Sequence, residues 1–154
     1  MPAELSQWHI AQLNVGRARH DLDDTRMQGF MGRLDEINAL ADAASGFVWR
    51  LQSDAGNATD IKLTDDPNFI VNLSVWRSIE QLKNFAYKSA HAPIMAQRRN
   101  WFEVPTEAYL ALWWVPEGIL PTADEALARL ETLKCDGPTA QSFDFQTVFQ
   151  PEAA

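Results

Sequence analysis

The sequence predicts an α+β protein with the ferredoxin-like βαββαβ order, an antiparallel sheet, and an additional C-terminal helix and strand. Two patterns support this prediction. Segments whose residues alternate between two faces indicate strands, whereas apolar residues at every third or fourth position indicate helices. At 154 residues the chain fits a single domain, spanning 1–154.

Five segments have the composition and alternation of strands: 8–15, 47–52, 69–76, 109–115 and 142–149. Asn14 and Asn72 occupy in-strand positions that disfavour polar side chains. We therefore expect them either to direct their amides into a cavity or to pair with each other across strands. The adjacent Trp113 and Trp114 must point to opposite faces of the sheet.

Helix boundaries are marked by capping patterns. Thr25 with Gln28, and Ser78 with Gln81, predict capping boxes, and Thr122 with Glu125 predicts the start of the last helix, which ends at Gly137. The first of these helices carries an apolar stripe predicted to face the sheet: Met27, Phe30, Met31, Leu34, Ile37 and Ala41. The polar segment 53–67 is predicted to be the longest loop.

Both faces of the predicted sheet carry apolar or aromatic residues. The helices of a βαββαβ unit cover only one face, and a large uncovered apolar face is unfavourable for a monomer. We therefore predict a homodimer in which a second subunit covers the other face.

The charge balance limits the classes of partner. A formal net charge of −8 argues against nucleic acid and against anionic membrane surfaces. No apolar stretch reaches the roughly 20 residues that span a bilayer, and the N-terminal residues do not resemble a signal peptide. The single Cys135 cannot form an internal disulfide, so we expect a cytoplasmic protein.

The segment 76–102 concentrates the residues suited to a ligand site. Trp76, Tyr87 and Trp101 supply aromatic surface, and Arg98 and Arg99 supply guanidinium groups that hold carboxylates and stack on rings. Adjacent residues on a helix lie about 100° apart, so the two arginines cannot share one face. Arg98 is favoured for the pocket because it is seven residues from His91; an ion pair with an acidic side chain is the alternative.

His91 is the first candidate for chemistry. A histidine can act as an acid or a base, or bind haem iron through one ring nitrogen. The alternative is that it bonds backbone groups at a helix start. We assign His91 and Arg98 as candidate catalytic residues and the following as candidate ligand contacts: Asn14, Asn72, Trp76, Tyr87, Arg99, Trp101 and Trp114. A core role is the alternative for the tryptophans.

No metal site is predicted. The acidic stretch 20–24 lacks the glycine-centred pattern of a calcium loop and fits a solvated segment before a helix. Cys135 has no partner at metal-ligand spacing. Motifs for nucleotide binding, serine hydrolysis and zinc proteolysis do not occur.

Three runs carry a resemblance to a known family: WRSIEQLKNFAYKSAHAPIMAQRRNWFE, LALWWVPEGILPTADEALARLETL and GPTAQSFDFQTVF. They resemble a bacterial family of unknown function in the dimeric α/β-barrel superfamily, which also contains antibiotic-biosynthesis-monooxygenase-type proteins, haem-degrading monooxygenases and aldoxime dehydratases. The resemblance implies two sheets that face each other in a dimer and a ligand cavity between each sheet and its helices. It does not transfer a catalytic residue.

Three functional hypotheses follow. The first is a cofactor-independent, monooxygenase-like enzyme acting on a small aromatic or polyketide-like molecule. The second is a homodimer that binds a small organic ligand without catalysis. The third, weaker hypothesis is a haem protein with His91 as axial ligand.

Overall fold

Four antiparallel strands form one sheet in the computed structural model, which describes residues 8–52, 66, 68–88 and 98–151. The strands are β1 (Trp8–Arg17), β2 (Phe47–Arg50), β3 (Phe69–Trp76) and β4 (Leu110–Pro116). Their order across the sheet is β2-β3-β1-β4. The helices are α1 (Gln28–Met31), α2 (Leu34–Ala43), α3 (Ile79–Lys88), α4 (Arg98–Trp101) and α5 (Ala123–Asp136).

This arrangement confirms the predicted α+β, ferredoxin-like fold and its C-terminal helix. The predicted last strand, 142–149, is wrong in extent. Only Phe143 pairs with β4, through two hydrogen bonds with Leu112 of 2.7 and 2.9 Å. The following residues bend away from β4, where Asp144 Oδ1 accepts hydrogen bonds from the backbone N–H groups of Gln146 and Thr147.

One face of the sheet is sealed by α5. Leu13, Val75 and Trp113 are buried there against Ala126 and Leu130 of the helix. The prediction that helices cover only one face is therefore wrong, because the C-terminal helix returns across the face assigned to a second subunit. A homodimer stays a proposal, and it no longer has an uncovered sheet face as its reason.

The opposite face of the sheet is covered by α3 and the C-terminal segment. Ile10, Trp76 and Leu112 pack there with Leu82 of α3 and Phe143. A smaller cluster of buried residues lies beside it and joins α1 to the end of α4: Ala18, Met27, Trp101 and Phe102.

The helix predicted from Thr25 onward is divided into a 3-10 turn, α1 and α2. Asp24, not Thr25, caps the start, since its carboxylate accepts a hydrogen bond from the Arg26 backbone N–H at 2.8 Å. The Arg26 side chain also donates to Asp24, and these hydrogen bonds hold the pKa of Asp24 well below its ordinary value. The break follows α1 at Gly32, consistent with the poor helix propensity of glycine.

The other predicted caps are confirmed. Ser78 Oγ accepts from the Gln81 backbone N–H at 3.2 Å, and Thr122 Oγ1 accepts from that of Glu125 at 3.1 Å. Gly137 ends α5 with φ +73°. Gly46 precedes β2 with φ +88°, and a Cβ there would collide with the Gln81 side chain.

Among the helices of the described segments, none is long and apolar enough to cross a membrane.

Candidate functional site

A cavity of about 270 Å³ lies between the sheet and the helices α1 to α4. Its floor comes from β1 and β3, and one wall comes from residues of α2 at helical spacing: Leu34, Ile37, Asn38 and Ala41. The predicted stripe of that helix therefore faces a cavity above the sheet. This position explains why most of the stripe is only half-buried.

The floor is a chain of hydrogen-bonded polar side chains centred on Gln12, which is 5% exposed. Gln12 Nε2 donates to Asn72 Oδ1 at 2.7 Å and to Ser74 Oγ at 3.0 Å. Gln12 Oε1 accepts from Asn14 Nδ2 at 3.1 Å. All four residues share one face because they occupy alternate positions of two paired strands.

Asn14 and Asn72 are direct register partners. Their side chains do not pair with each other in the described contacts; Gln12 bridges them. Because Gln12 bonds one atom of each asparagine amide, the other atom of each amide remains available to a ligand. In the described part of the chain, Asn72 Nδ2 and Asn14 Oδ1 have no hydrogen-bond partner, and both residues line the cavity.

One aromatic wall is built on Trp76 at the end of β3. Phe85 of α3 stacks on the Trp76 ring, with centroids 5.1 Å apart and planes at 30°. Phe47 of β2 meets the same ring edge-on at 5.5 Å. Trp76 Nε1 donates to Ser74 Oγ at 2.9 Å, which ties this wall to the floor. The indole is thereby fixed in orientation by both packing and a hydrogen bond.

A second aromatic wall is formed by Trp101 and Phe30, whose ring centroids are 5.8 Å apart. The Trp101 carbonyl accepts from the Arg19 backbone N–H at 2.8 Å, which anchors the end of α4 beside the extension of β1. Gly29 lies against the indole, since a Cβ there would be 3.2 Å from Trp101 Cζ2. The glycine allows α1 to approach the ring closely.

Tyrosines lie at the outer edge of the cavity. Tyr87 is 60% exposed and meets the Phe145 ring edge-on at 5.7 Å, and Tyr109 also lines the cavity. Partial burial, and secondly the proximity of Tyr109, raise the pKa of the Tyr87 hydroxyl. The Tyr87 phenol is therefore neutral at physiological pH.

Arg50 reaches the cavity wall because β2 contains a bulge. The register shifts between Phe47 and Trp49, so Phe47 faces Trp76 and Arg50 faces Ser74 on the same side of the sheet. The Arg50 guanidinium is committed to Asp42 through hydrogen bonds of 2.8 and 3.3 Å. No other formally charged side chain lines the cavity in the described segments.

The structure brings together five predicted contacts: Asn14, Asn72, Trp76, Tyr87 and Trp101. Trp114 does not line this cavity; its Nε1 donates to the Phe149 carbonyl at 2.8 Å under the C-terminal segment. His91 lies outside the described residues. Arg98 and Arg99 begin α4, three and two residues before Trp101, and their side chains also lie outside what the structure describes.

Sequence reasoning missed Gln12, Ser74 and Arg50 as parts of the site. For Gln12 and Ser74 the signal was present, because both share the alternation that places Asn14 and Asn72 on one face. Arg50 could not be found this way. The bulge in β2 breaks the alternation on which such an assignment depends.

Metal-ligating side chains do not cluster in groups of three or more within the residues described. The acidic stretch 20–24 contributes a helix cap and an ion pair through Asp24.

Solved structures with a similar fold include a conserved protein from Methanosarcina mazei Go1, with a TM-score of 0.51 and 12% identity over 74% of this chain and 97% of that chain. This likeness shows a shared fold. SnoaB, a cofactor-independent oxygenase from Streptomyces nogalater, gives a TM-score of 0.48 and 16% identity over 74% of this chain and 98% of its own. Rv0793 from Mycobacterium tuberculosis gives a TM-score of 0.48 and 18% identity over 75% of this chain and 98% of its own.

No curated protein has a significant sequence match to this chain. A family model, in contrast, matches almost the whole sequence, over residues 9–154. The match confirms the predicted resemblance to a family of unknown function. The chain belongs to the family described as domain of unknown function DUF3291.

Proposed function

We propose that this protein binds a small, neutral aromatic molecule in the cavity above the sheet. The observation that carries the proposal is one cavity of about 270 Å³ with aromatic rings on two walls and an oriented amide floor. Ligand sites in proteins are mostly apolar with a few placed polar groups, and this cavity has that composition.

The charge of the cavity favours a neutral ligand. Arg50 is the one formally charged lining residue in the described segments, and Asp42 already holds it. Among the described residues, a carboxylate placed on the floor would lose its hydration without gaining an uncommitted cationic partner. An aromatic acid should therefore bind more weakly than its neutral analogue.

Binding can be measured by the quenching of tryptophan fluorescence, because Trp76 and Trp101 line the cavity. The test uses α-tetralone and naphthol as neutral ligands and naphthoate as their charged counterpart. Ala86 of α3 lines the cavity, so Ala86→Phe should block it and lower affinity about tenfold or more.

Ala128→Phe provides the matched control, because Ala128 is exposed on α5 beyond the opposite face of the sheet. This variant should keep the affinity of the unmodified protein within about twofold. Equal losses in the two variants, or no saturable binding of either neutral ligand, would reject the proposal.

Oxygenation of the same ligand is a second candidate function. The free Asn72 amide can donate to a ligand oxygen and stabilise the negative charge that develops when the substrate is deprotonated. In the reaction, a CH₂ group between aromatic rings becomes a carbonyl. Molecular oxygen is reduced, with one atom entering the product and the other leaving as water.

His91 and Arg98 keep their proposed roles in this reaction, proton removal and polarisation of the substrate oxygen. Turnover of anthrone under isotope-labelled oxygen tests it, and one labelled atom per product is expected. His91→Ala and Arg98→Ala should each reduce turnover about tenfold, equivalent to about 1.4 kcal/mol, with stability changed by no more than about 0.5 kcal/mol. A loss of stability with unchanged turnover would assign both residues a structural role.

We also propose that the protein is a homodimer, which light scattering at micromolar concentration can test. A specific interface should bury at least roughly 1,200 Å². The haem hypothesis rests on His91 alone, and the visible spectrum after addition of haemin tests it without reference to the cavity.

A further inference from the structure

The hydroxyl group of Ser74 has an unusual set of partners. A serine hydroxyl has one proton to donate and two lone pairs that accept. Both neighbours of Ser74 Oγ are donors: Gln12 Nε2 at 3.0 Å and Trp76 Nε1 at 2.9 Å. Neither group can accept the serine proton, because an indole N–H and an amide NH₂ only donate.

The Ser74 proton is therefore left without an acceptor among the described residues. Ser74 is 6% exposed and lines the cavity. Leaving a buried donor unused is unfavourable, so the site gains when a ligand supplies an acceptor.

A second donor lies beside it. Asn72 is two residues earlier on β3, on the same face, and its Oδ1 is occupied by Gln12 at 2.7 Å. The Nδ2 group of Asn72 is thus the part of this amide that remains for a ligand. Two neighbouring donors that face one cavity suit a single carbonyl oxygen, which has two lone pairs.

The orientation of both donors depends on Gln12. The Asn72 backbone carbonyl oxygen, which can only accept, lies 3.3 Å from Gln12 Nε2, so the Gln12 amide turns its NH₂ group toward Asn72 and Ser74. A reversed Gln12 amide would place Oε1 against that backbone carbonyl oxygen, so Gln12 Oε1 instead accepts from Asn14 Nδ2 at 3.1 Å. The network consequently has one favoured direction.

We infer that Gln12 and Trp76 fix Ser74 and Asn72 as a two-donor seat for the carbonyl oxygen of a neutral aromatic ketone or quinone-like ligand. Ser74 and Asn72 contact the ligand oxygen, and Gln12 is a positioning residue. The inference rests on the proposed binding function and specifies its ligand class. Asn14 Oδ1, on the same floor, can accept from a hydroxyl group carried next to that carbonyl.

The test compares α-tetralone with tetralin, which has the same two-ring skeleton without the carbonyl. The full chain should bind α-tetralone about fivefold more tightly or better, since each neutral hydrogen bond contributes modestly. The infrared carbonyl band of isotope-labelled α-tetralone should move to lower frequency on binding, as expected for a carbonyl that accepts hydrogen bonds.

Ser74→Ala should lower the α-tetralone affinity about fivefold, leave tetralin affinity unchanged and move the bound carbonyl band back toward its free value. Gln12→Met should also reduce the preference for α-tetralone over tetralin and shift the carbonyl band. This effect would be indirect, because the polar atoms of Gln12 bond Asn14, Asn72 and Ser74 and do not contact the ligand oxygen. Ser74→Ala is a small change in volume, so it tests the inference even where Gln12→Met fails to fold.

Ser78→Ala is the matched control, because Ser78 caps α3 outside the cavity. It should lower the melting temperature without altering the selectivity or the band. Equal binding of α-tetralone and tetralin would overturn the seat and leave the proposed binding function standing. Failure of both to bind would overturn the two proposals together, and an unmoved band in Ser74→Ala would remove Ser74 from the seat.

Discussion

The two faces of the sheet are built from the same strands and serve opposite purposes. On the α5 face, Leu13 and Trp113 are each 1% exposed and belong to an apolar cluster packed beneath the helix. On the other face, the neighbouring Gln12 and Asn14 form the floor of a cavity. A shift of one residue along β1 therefore separates a sealed core from a site, since successive side chains of a strand point to opposite faces.

The helices over the two faces differ in the same way. α5 buries Ala126, Leu130 and Leu133 at helical spacing, whereas α2 has a comparable apolar stripe and buries only Ala41. The two stripes differ in burial because α5 lies against packed strands and α2 lies above the cavity. A stripe against a packed sheet loses its contact with solvent, and a stripe above a cavity keeps part of its surface available to a ligand.

The face covered by α5 contains a buried polar atom without a hydrogen-bond partner among the described residues. Trp113 Nε1 is buried without a hydrogen-bond partner in the described part of the chain, and the Arg129 guanidinium lies 5.9 Å from the indole. The cavity face, in contrast, holds its indole Trp76 by a hydrogen bond to Ser74. The two indoles therefore differ, since the N–H of Trp76 on the cavity face is hydrogen-bonded and that of Trp113 has no partner among the described residues.

The largest expected effect comes from the same substitution made on each face. Leu130→Ala should destabilise the protein by roughly 2–5 kcal/mol, because it leaves a cavity in a packed core. Leu34→Ala should cost only about 1 kcal/mol, because Leu34 is half-buried on the cavity wall. Chemical denaturation measures both, and equal losses would break the distinction between the faces.

Asparagine substitutions should separate the floor from the surface. Asn72→Ala removes one proposed ligand donor and should weaken α-tetralone binding about tenfold, or about 1.4 kcal/mol. Asn84→Ala, at an exposed position of α3 outside the cavity, should have no effect on binding. Fluorescence titration distinguishes them, and an unchanged affinity in Asn72→Ala would argue against the floor as a recognition surface.

Removal of a helix cap should affect stability alone. Thr122→Ala deletes the side-chain acceptor at the start of α5 and should cost about 1 kcal/mol. Since α5 covers the sealed face, we expect a lower melting temperature by calorimetry and unchanged ligand affinity. A parallel fall in affinity would mean that the two faces are coupled through the sheet.

The smallest effect concerns the tyrosines at the edge of the cavity. The folded protein holds the Tyr87 proton more tightly than the unfolded chain, because the pKa of Tyr87 is raised. The resulting stability is present below the ordinary pKa of tyrosine and is lost as pH rises through the raised value. Tyr109→Phe removes the second cause and should lower the pKa of Tyr87, as measured by tyrosinate absorbance; no change would show that desolvation alone sets it.

The course of the chain explains which structural predictions succeeded. Ser78, Thr122 and Gly137 act within one helical turn of their own positions, so sequence spacing located these helix ends. The predicted cap at Thr25 was wrong because the carboxylate of Asp24, one residue earlier, accepts the hydrogen bond from the Arg26 backbone N–H at the start of this turn. The final strand failed because a single pair with Leu112 is a tertiary contact that alternation does not predict.

The sequence by itself determined the order of the helices and of the first four strands, and the alternation that places Asn72 and Trp76 on one face of β3, because strand alternation and helix capping depend on near neighbours. Only the tertiary structure decided that α5 seals the other face, that a bulge turns Arg50 toward the cavity, and that Gln12 joins two asparagines into a directed floor. These features join residues distant in the chain, and their geometry is set by how strands pair and helices pack.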